Sequence, residues 1–190
     1  MSEAPVLVEH HDPYTIADLE AMPDDGQRYE LIDGALHVSP SPTQLHQRVA
    51  HRLCGRLNAA VPSDLEAVEA LGVRCGEDTI LVPDVVVLAV AEPESVAKTV
   101  ADAWEVALVV EVVSPSSGRM DRVLKPRLYA DARIPAYLLV DAVQSTVTWF
   151  GLSASGGYEV RGVASGDEVL RVTEPFEVSI VPADLVRPKG

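Results

Sequence analysis

No apolar run in this chain approaches the roughly 20 residues that a membrane-spanning helix needs. The start, Met1-Ser2-Glu3-Ala4-Pro5, lacks a basic segment followed by an apolar stretch. A secretory leader is therefore not expected, and the reading is cytoplasmic with no membrane partner. Cysteine is scarce: Cys54 and Cys75 stand alone, without CxxC spacing, which excludes a zinc cluster and predicts free thiols in place of a disulfide. The chain has no GxSxG elbow, no GxxxxGK(S/T) loop and no HExxH helix. Their absence removes three common hydrolase and nucleotide-binding plans.

Positive charge is also short. Lys and Arg number 15 against 29 Asp and Glu, a net charge of -14, which argues against a protein that coats nucleic acid nonspecifically through counterion release. The basic residues are nevertheless clustered. Arg48, Arg52 and Arg56 fall in one predicted helix, and Arg119, Arg122, Lys125, Arg127 and Arg133 in another. An anionic substrate would be met there, with Arg48, Arg52, Arg119 and Arg122 as the candidate contacts. The plainer alternative is two solvated helix faces.

What the chain does have is core. At 190 residues and 47% hydrophobic content, it is long enough for one well-filled domain and too short for two. Residues 1–12 are expected as a loose tail and 13–190 as a single domain. Thr15 is placed to cap a short helix. Asp33-Gly34, between Tyr29-Glu30-Leu31-Ile32 and Ala35-Leu36-His37-Val38, predicts a tight hairpin. Ser41-Pro42-Thr43-Gln44 reads as a helix start with Ser41 as N-cap, and Leu45, Val49, Leu53 and Leu57 give that helix a buried stripe to about Ala60. Glu66 to Arg74 reads as a strand.

Ile80 to Val90 and Glu105 to Val113 are apolar on both parities, as expected of neighbouring central strands covered on both faces. The polar stretch 92–103 between them reads as a connection with one helical turn. Ser116 or Ser117 can cap a helix through Tyr129, which Pro126 breaks or delays. Ala136 to Val140 is a further buried strand with Thr146 to Phe150 as its hairpin partner. Tyr158 to Val163 and Glu168 to Val172 complete a terminal β-meander, and Val181 to Val186 closes the chain as one helical turn. The class is α/β in the mixed (α+β) sense, a mixed sheet with a few helices.

Each central strand carries one isolated acid, Asp84 in the first and Glu111 in the second. Asp84 shares a face with Val86 and Leu88, Glu111 with Val109 and Val113, so on adjacent strands the carboxylates converge. Unpaired charge in such a strand is costly, so a cation must meet it. Two readings stand at this point. Carboxylates, a main-chain carbonyl and water suit Mg²⁺ or Mn²⁺, with Lys125 nearby to orient or deprotonate water. Alternatively, Glu111 and Lys125 form a buried salt bridge and Asp84 ends a turn after Pro83. His46 and His51, five apart, share no helix face and read as surface or satisfied histidines. Ser114, Ser116 and Ser117 read as strand exit and helix cap.

Several blocks occur in one order: Tyr29-Glu30-Leu31-Ile32-Asp33-Gly34; Ser39-Pro40-Ser41-Pro42 with His46-Gln47; Pro83-Asp84-Val85-Val86-Val87; Val110-Glu111-Val112-Val113-Ser114-Pro115-Ser116; Asp121 with Lys125 and Tyr129; and Pro135-Ala136-Tyr137-Leu138-Leu139-Val140-Asp141. In this order the chain resembles the Uma2 (DUF820) family, a branch of the PD-(D/E)XK nuclease superfamily, over roughly Tyr14 to Ile180. The resemblance implies a restriction-endonuclease-like core that binds Mg²⁺, with Mn²⁺ as a substitute, and cleaves phosphodiester bonds of nucleic acid, DNA in the first instance. It implies Asp84, Glu111 and the main-chain carbonyl of Val112 as metal ligands, and Lys125 and Glu30 beside them as catalytic residues. The usual motif has a lysine two residues after the second acid; here that position is Val113, and Lys125 matches the family's displaced lysine. Asp121, one turn before, is placed to steady the ammonium. Where the family often has Glu-Tyr-Trp, this chain has Ala136-Tyr137-Leu138. A homodimer suits a nuclease that cuts two strands, although no interface is legible. The competing class is a non-catalytic binding or assembly module that keeps the fold.

Overall fold

The computed structural model describes residues 13–23, 25–90, 99–113 and 120–187. The expected tail at 1–12, the serines Ser114, Ser116 and Ser117, and Arg119 lie outside the described residues.

α1 (Ile16–Glu20) starts at Thr15, whose hydroxyl accepts from the Asp18 amide while the Asp18 carboxylate reaches back. That reciprocal pair satisfies two otherwise orphaned donors. The predicted hairpin follows: β1 (Arg28–Ile32) pairs antiparallel with β2 (Ala35–Ser39), Ile32 opposite Ala35. Asp33 and Gly34 between them have φ of 49° and 74°, the left-handed pair that a two-residue turn requires.

α2 (Gln44–Asn58) begins two residues later than Ser41 would set it. Thr43 is the cap, accepting from the His46 amide, and Ser41 instead donates to the Gly26 carbonyl. The stripe is as expected: Val49, Leu53 and Leu57 are fully buried and Leu45 packs on the same core. Each such side chain contributes roughly 1.5–3 kcal/mol.

Two stretches expected as single strands are each two. The first divides at Ala70, φ 54°, into β3 (Leu65–Glu69) and β4 (Gly72–Gly76). The second divides at Pro83 into β5 (Thr79–Leu81) and β6 (Val85–Ala89). Proline offers no amide to a ladder, and the chain changes sheet there. The stretch read as a connection contains β7 (Val100–Asp102), followed by a 3₁₀ turn, Ala103–Glu105. Then come β8 (Val106–Val113), a π-helical turn (Met120–Leu124), α3 (Lys125–Asp131), β9 (Ala136–Asp141), β10 (Thr146–Leu152), β11 (Tyr158–Ser165), β12 (Leu170–Val172), β13 (Val178–Ile180) and α4 (Pro182–Val186). Pro126 sits in the first turn of α3, directly after the π-helical turn, so among the described residues the helical run from Met120 to Asp131 passes through it; the predicted cap at Ser116 or Ser117 lies outside the described residues.

Among the described residues the strands form a mixed sheet in the order β11-β10-β9-β8-β6-β3, a second in the order β2-β1-β5-β4-β7, and a ribbon of β12 and β13. The meander is β9-β10-β11; β12 pairs with β13 and does not extend it. The central neighbours are as predicted, β6 antiparallel to β8 with Val85 opposite Val110, and β8 parallel to β9. Val85, Val87, Leu108, Val110 and Val112 face α2 and the C-terminal ribbon. Val86, Val109 and Tyr137 face the second sheet and α3, against Ile32, Val73, Leu81 and Tyr129. Cys54 is buried, Cys75 half-buried, and both are free thiols.

Candidate active site

The antiparallel register that sets Val85 against Val110 brings Asp84 level with Glu111, and the Asp84 amide donates to the Val110 carbonyl at 3.0 Å. Asp84 occupies the short link between the two sheets, immediately before β6. Glu111 projects from β8 on the parity of Val109, toward α3 and the second sheet. On β1, Arg28 and Glu30 alternate onto one face of the same space. The first turn of α2 contributes His46, the π-helical turn Asp121, and α3 both Lys125 and Tyr129.

These groups form one network. The Lys125 ammonium lies 2.9 Å from Glu30 Oε1 and 3.0 Å from Glu111 Oε1, with Asp121 Oδ1 at 3.9 Å. The Tyr129 hydroxyl donates to the same Glu111 Oε1 at 2.7 Å, as the i,i+4 spacing from Lys125 allows. Glu30 Oε1 also accepts from the Val82 amide at 2.8 Å. Asp84 Oδ2 accepts from the Val112 amide at 2.7 Å and meets His46 Nε2 at 3.1 Å. Arg28 Nη1 sits 2.7 Å from Asp84 Oδ1, yet no donor is aligned on that buried oxygen. The contact is Coulombic more than a directed hydrogen bond. Tyr137 donates to the Asp121 carbonyl at 2.7 Å and its ring packs between Tyr129 and Tyr158, which fixes the π-helical turn.

Burial and charge pull the acids apart. Desolvation pushes the Glu111 carboxyl up to about 8, against the pull of Lys125 and with the push of Asp84, Asp121 and Glu30. Asp84 is held below its ordinary value: burial works the other way, but the His46 contact, Arg28 and the Val112 amide outweigh it. Burial would lower the Lys125 ammonium, yet Glu111, then Glu30 and Asp121, carry it well above its usual range. Lys125 is therefore a charged donor at rest, poorly suited to act as a base. Carboxylates that differ this way in one cleft mark functional sites more often than chance.

The cleft has a volume of about 540 Å³ and is lined by Arg28, Glu30, His46, Asp84, Glu111, Val112, Asp121 and Lys125 together with the 37–43 segment. The structure thus brings Glu30, Asp84, Glu111, Val112 and Lys125 into one place. Arg28 and His46 join them, although Arg28 is absent from the candidates legible in sequence and His46 reads there as an ordinary histidine. The available signals are the i,i+2 spacing of Arg28 to Glu30 and the His46-Gln47 pair. Among the described residues the other arginines do not line this cleft. Arg52 donates to the carbonyls of Asp184, Leu185 and Arg187 at the end of α4. Arg122 pairs with Asp141 at 2.6 Å and, with Arg127, borders an adjacent cleft, whereas Arg48 on α2 is half-buried. His51 pairs with Glu69 on the surface.

Among the described residues no three His, Cys, Asp or Glu side chains are placed to hold a metal ion together. Two carboxylates and a main-chain oxygen remain. That set fits Mg²⁺, which keeps several waters and needs few protein ligands, and Asp84 Oδ1, held by the Arg28 charge with no aligned donor, is the oxygen it would take. Val113, at the usual lysine position, packs in the core, as do Ala136 and Leu138.

The Uma2 family model, described as "Putative restriction endonuclease", matches residues 16–184. A crystal structure from Anabaena variabilis ATCC 29413, described as a "putative nuclease belonging to DUF820", superposes with a TM-score of 0.69 at 17% identity, covering 92% of this chain and 98% of that one. The two share a fold, the mixed α/β arrangement expected above. No curated protein matches the chain. Among the described residues no helix is long and apolar enough to cross a membrane.

Proposed function

Because the chain belongs to the Uma2 family, we propose that it is a metal-dependent endonuclease hydrolysing phosphodiester bonds of nucleic acid, with DNA as its substrate. One observation carries the reading: two buried carboxylates, Asp84 and Glu111, converge on an open cleft beside a charged lysine, and Asp84 Oδ1 has no aligned donor. Asp84, Glu111 and the Val112 carbonyl would hold Mg²⁺, or Mn²⁺ in its place. The ion would supply charge stabilisation at the phosphate and the leaving oxygen. Lys125 donates hydrogens toward the incoming water or phosphate oxygen. Glu30, 2.9 Å from Nζ, holds that ammonium beside Glu111. Tyr129 fixes the Glu111 carboxylate, and His46 orients Asp84. Arg122 and Arg127 border the neighbouring cleft, where they offer contacts to the flanking backbone.

The test is nicking of supercoiled DNA with Mg²⁺ or Mn²⁺. Wild type should cleave, and Asp84→Asn and Glu111→Gln should fall to the level of the blank while circular dichroism stays native. Cleavage at the wild-type rate in either variant would refute the assignment. A second reading is favoured by one observation: each of Glu30, Asp84 and Glu111 already faces a cationic partner within the protein. Under it the cluster is structural and the chain is a binding or assembly module. Absence of calorimetric Mn²⁺ binding at millimolar concentration would select that reading.

A further inference from the structure

Glu30, Asp84 and Glu111 each already face a cationic side chain, so a divalent cation that binds Asp84 must take the place of one already there. Three groups face the acids: Lys125, His46 and Arg28. Their side chains are 5%, 11% and 22% exposed. Lys125 is enclosed between two carboxylates and its own helix, α3. His46 stands in the first turn of α2, and its Nδ1 is buried without a partner. Arg28 is the outermost. It is the first residue of β1 and lines the cleft. Its guanidinium meets Asp84 Oδ1 at 2.7 Å with no N–H well aligned on it, so what release forfeits is chiefly Coulomb attraction. That oxygen is also the one left open by the Val112 amide and His46, both of which engage Oδ2.

We propose that Arg28 is an exchangeable counter-ion: a divalent cation replaces its guanidinium at Asp84 Oδ1, and the displaced guanidinium turns to a phosphate group in the same cleft. This role rests on the metal reading above and falls to a residue outside the motif blocks. A planar fork of donors suits a phosphate better than it suits the single oxygen it holds at rest. The exchange keeps the buried acids neutralised throughout, first by Arg28 and then by the metal. A vacated Asp84 would otherwise stand unpaired beside Glu111.

The test needs no activity. Wild-type protein is treated with phenylglyoxal, which modifies accessible arginines, with and without Mn²⁺, and the extent at each arginine is read by mass spectrometry. Arg28 should react several-fold faster with Mn²⁺ present. Arg52, held by the α4 carbonyls, should be unchanged and serves as the internal control. Calorimetric titration of Arg28→Gln with Mn²⁺ should give an affinity about tenfold above wild type, because a competing positive charge has gone. Mn²⁺ bound by wild type with no change in Arg28 labelling would overturn the exchange and leave the metal reading standing. A folded Arg28→Gln that binds Mn²⁺ no more tightly than wild type would overturn it as well. Wild type that binds no Mn²⁺ would remove both. If Arg28→Gln fails to fold, the labelling of wild type still decides.

Discussion

Replacing Lys125 by Met keeps the length of the stem and removes the ammonium that Glu30 and Glu111 share at 2.9 and 3.0 Å. Deleting one partner of a buried ion pair costs about 3–5 kcal/mol, because the other charge stays behind unpaired. For a domain of this size each kcal/mol moves the melting midpoint by about 2–4 °C, so a fall of roughly 6–20 °C is expected at pH 9.5, where Glu111 is ionised, and a smaller one at pH 6, where it is largely protonated. The loss should also depend on pH. Glu111 is raised from 4.5 to about 8, so the folded state binds that proton more tightly than the unfolded chain. Its contribution to stability is full at low pH and declines as pH rises to the folded value. Lys125 is the strongest influence opposing burial at Glu111, and without it the folded value climbs further. The two stability curves should therefore run parallel below about pH 8 and diverge above it. Between pH 6 and pH 9.5 the gap should widen by about 1–2 kcal/mol, because a tenfold change in proton affinity is worth about 1.4 kcal/mol. Thermal and urea unfolding of wild type, Lys125→Met, Glu111→Gln and the double variant at both pH values form the assay. The double variant should recover a substantial part of the single loss. A loss below about 1 kcal/mol, flat in pH and additive in the double variant, would mean that Lys125 is not the charge that balances these acids.

Two further outcomes follow from the same contacts. Asp84 is held below its ordinary 3.8, so it adds stability above that value and loses it as pH falls through the folded value; Asp84→Asn should make the acid limb of stability shallower below pH 4, and equal slopes in the two proteins would refute the shift. Arg52→Ala should lower stability by about 1.5 kcal/mol, read from the urea midpoint, because it uncovers the α4 carbonyls; an unmoved midpoint would show that this cap is idle.

The acidic half of the cluster is legible in sequence because burial and charge conflict there. Asp84 and Glu111 stand out as single acids in apolar runs, and the parity argument puts them on one face, where the structure has them. The other half is hidden for a physical reason. Arg28 opens a hairpin whose β2 has no buried residue, so nothing local distinguishes it from a solvated arginine; only the count of buried acids demands a second cation. His46 looks ordinary because helical periodicity marks the stripe of Val49, Leu53 and Leu57 and says nothing about a side chain aimed off its end. The division of 80–90 into β5 and β6 is masked because both halves are apolar on both parities, although Pro83 carries the signal. β7 is three residues long in polar surroundings, too short for any period to show.

That division at Pro83 bears on how the chain can acquire its buried charges at all. Glu30 belongs to one sheet, Glu111 to the other, and Asp84 to the peptide where the chain crosses between them. Either sheet alone leaves these carboxylates facing water, where ionisation carries no penalty. Dehydration of the acids thus coincides with the closing of one sheet on the other, the same event that delivers Arg28 on β1 to Asp84. No partial assembly of this chain has to strand a bare carboxylate in hydrocarbon, and no fragment containing a single sheet can possess the site.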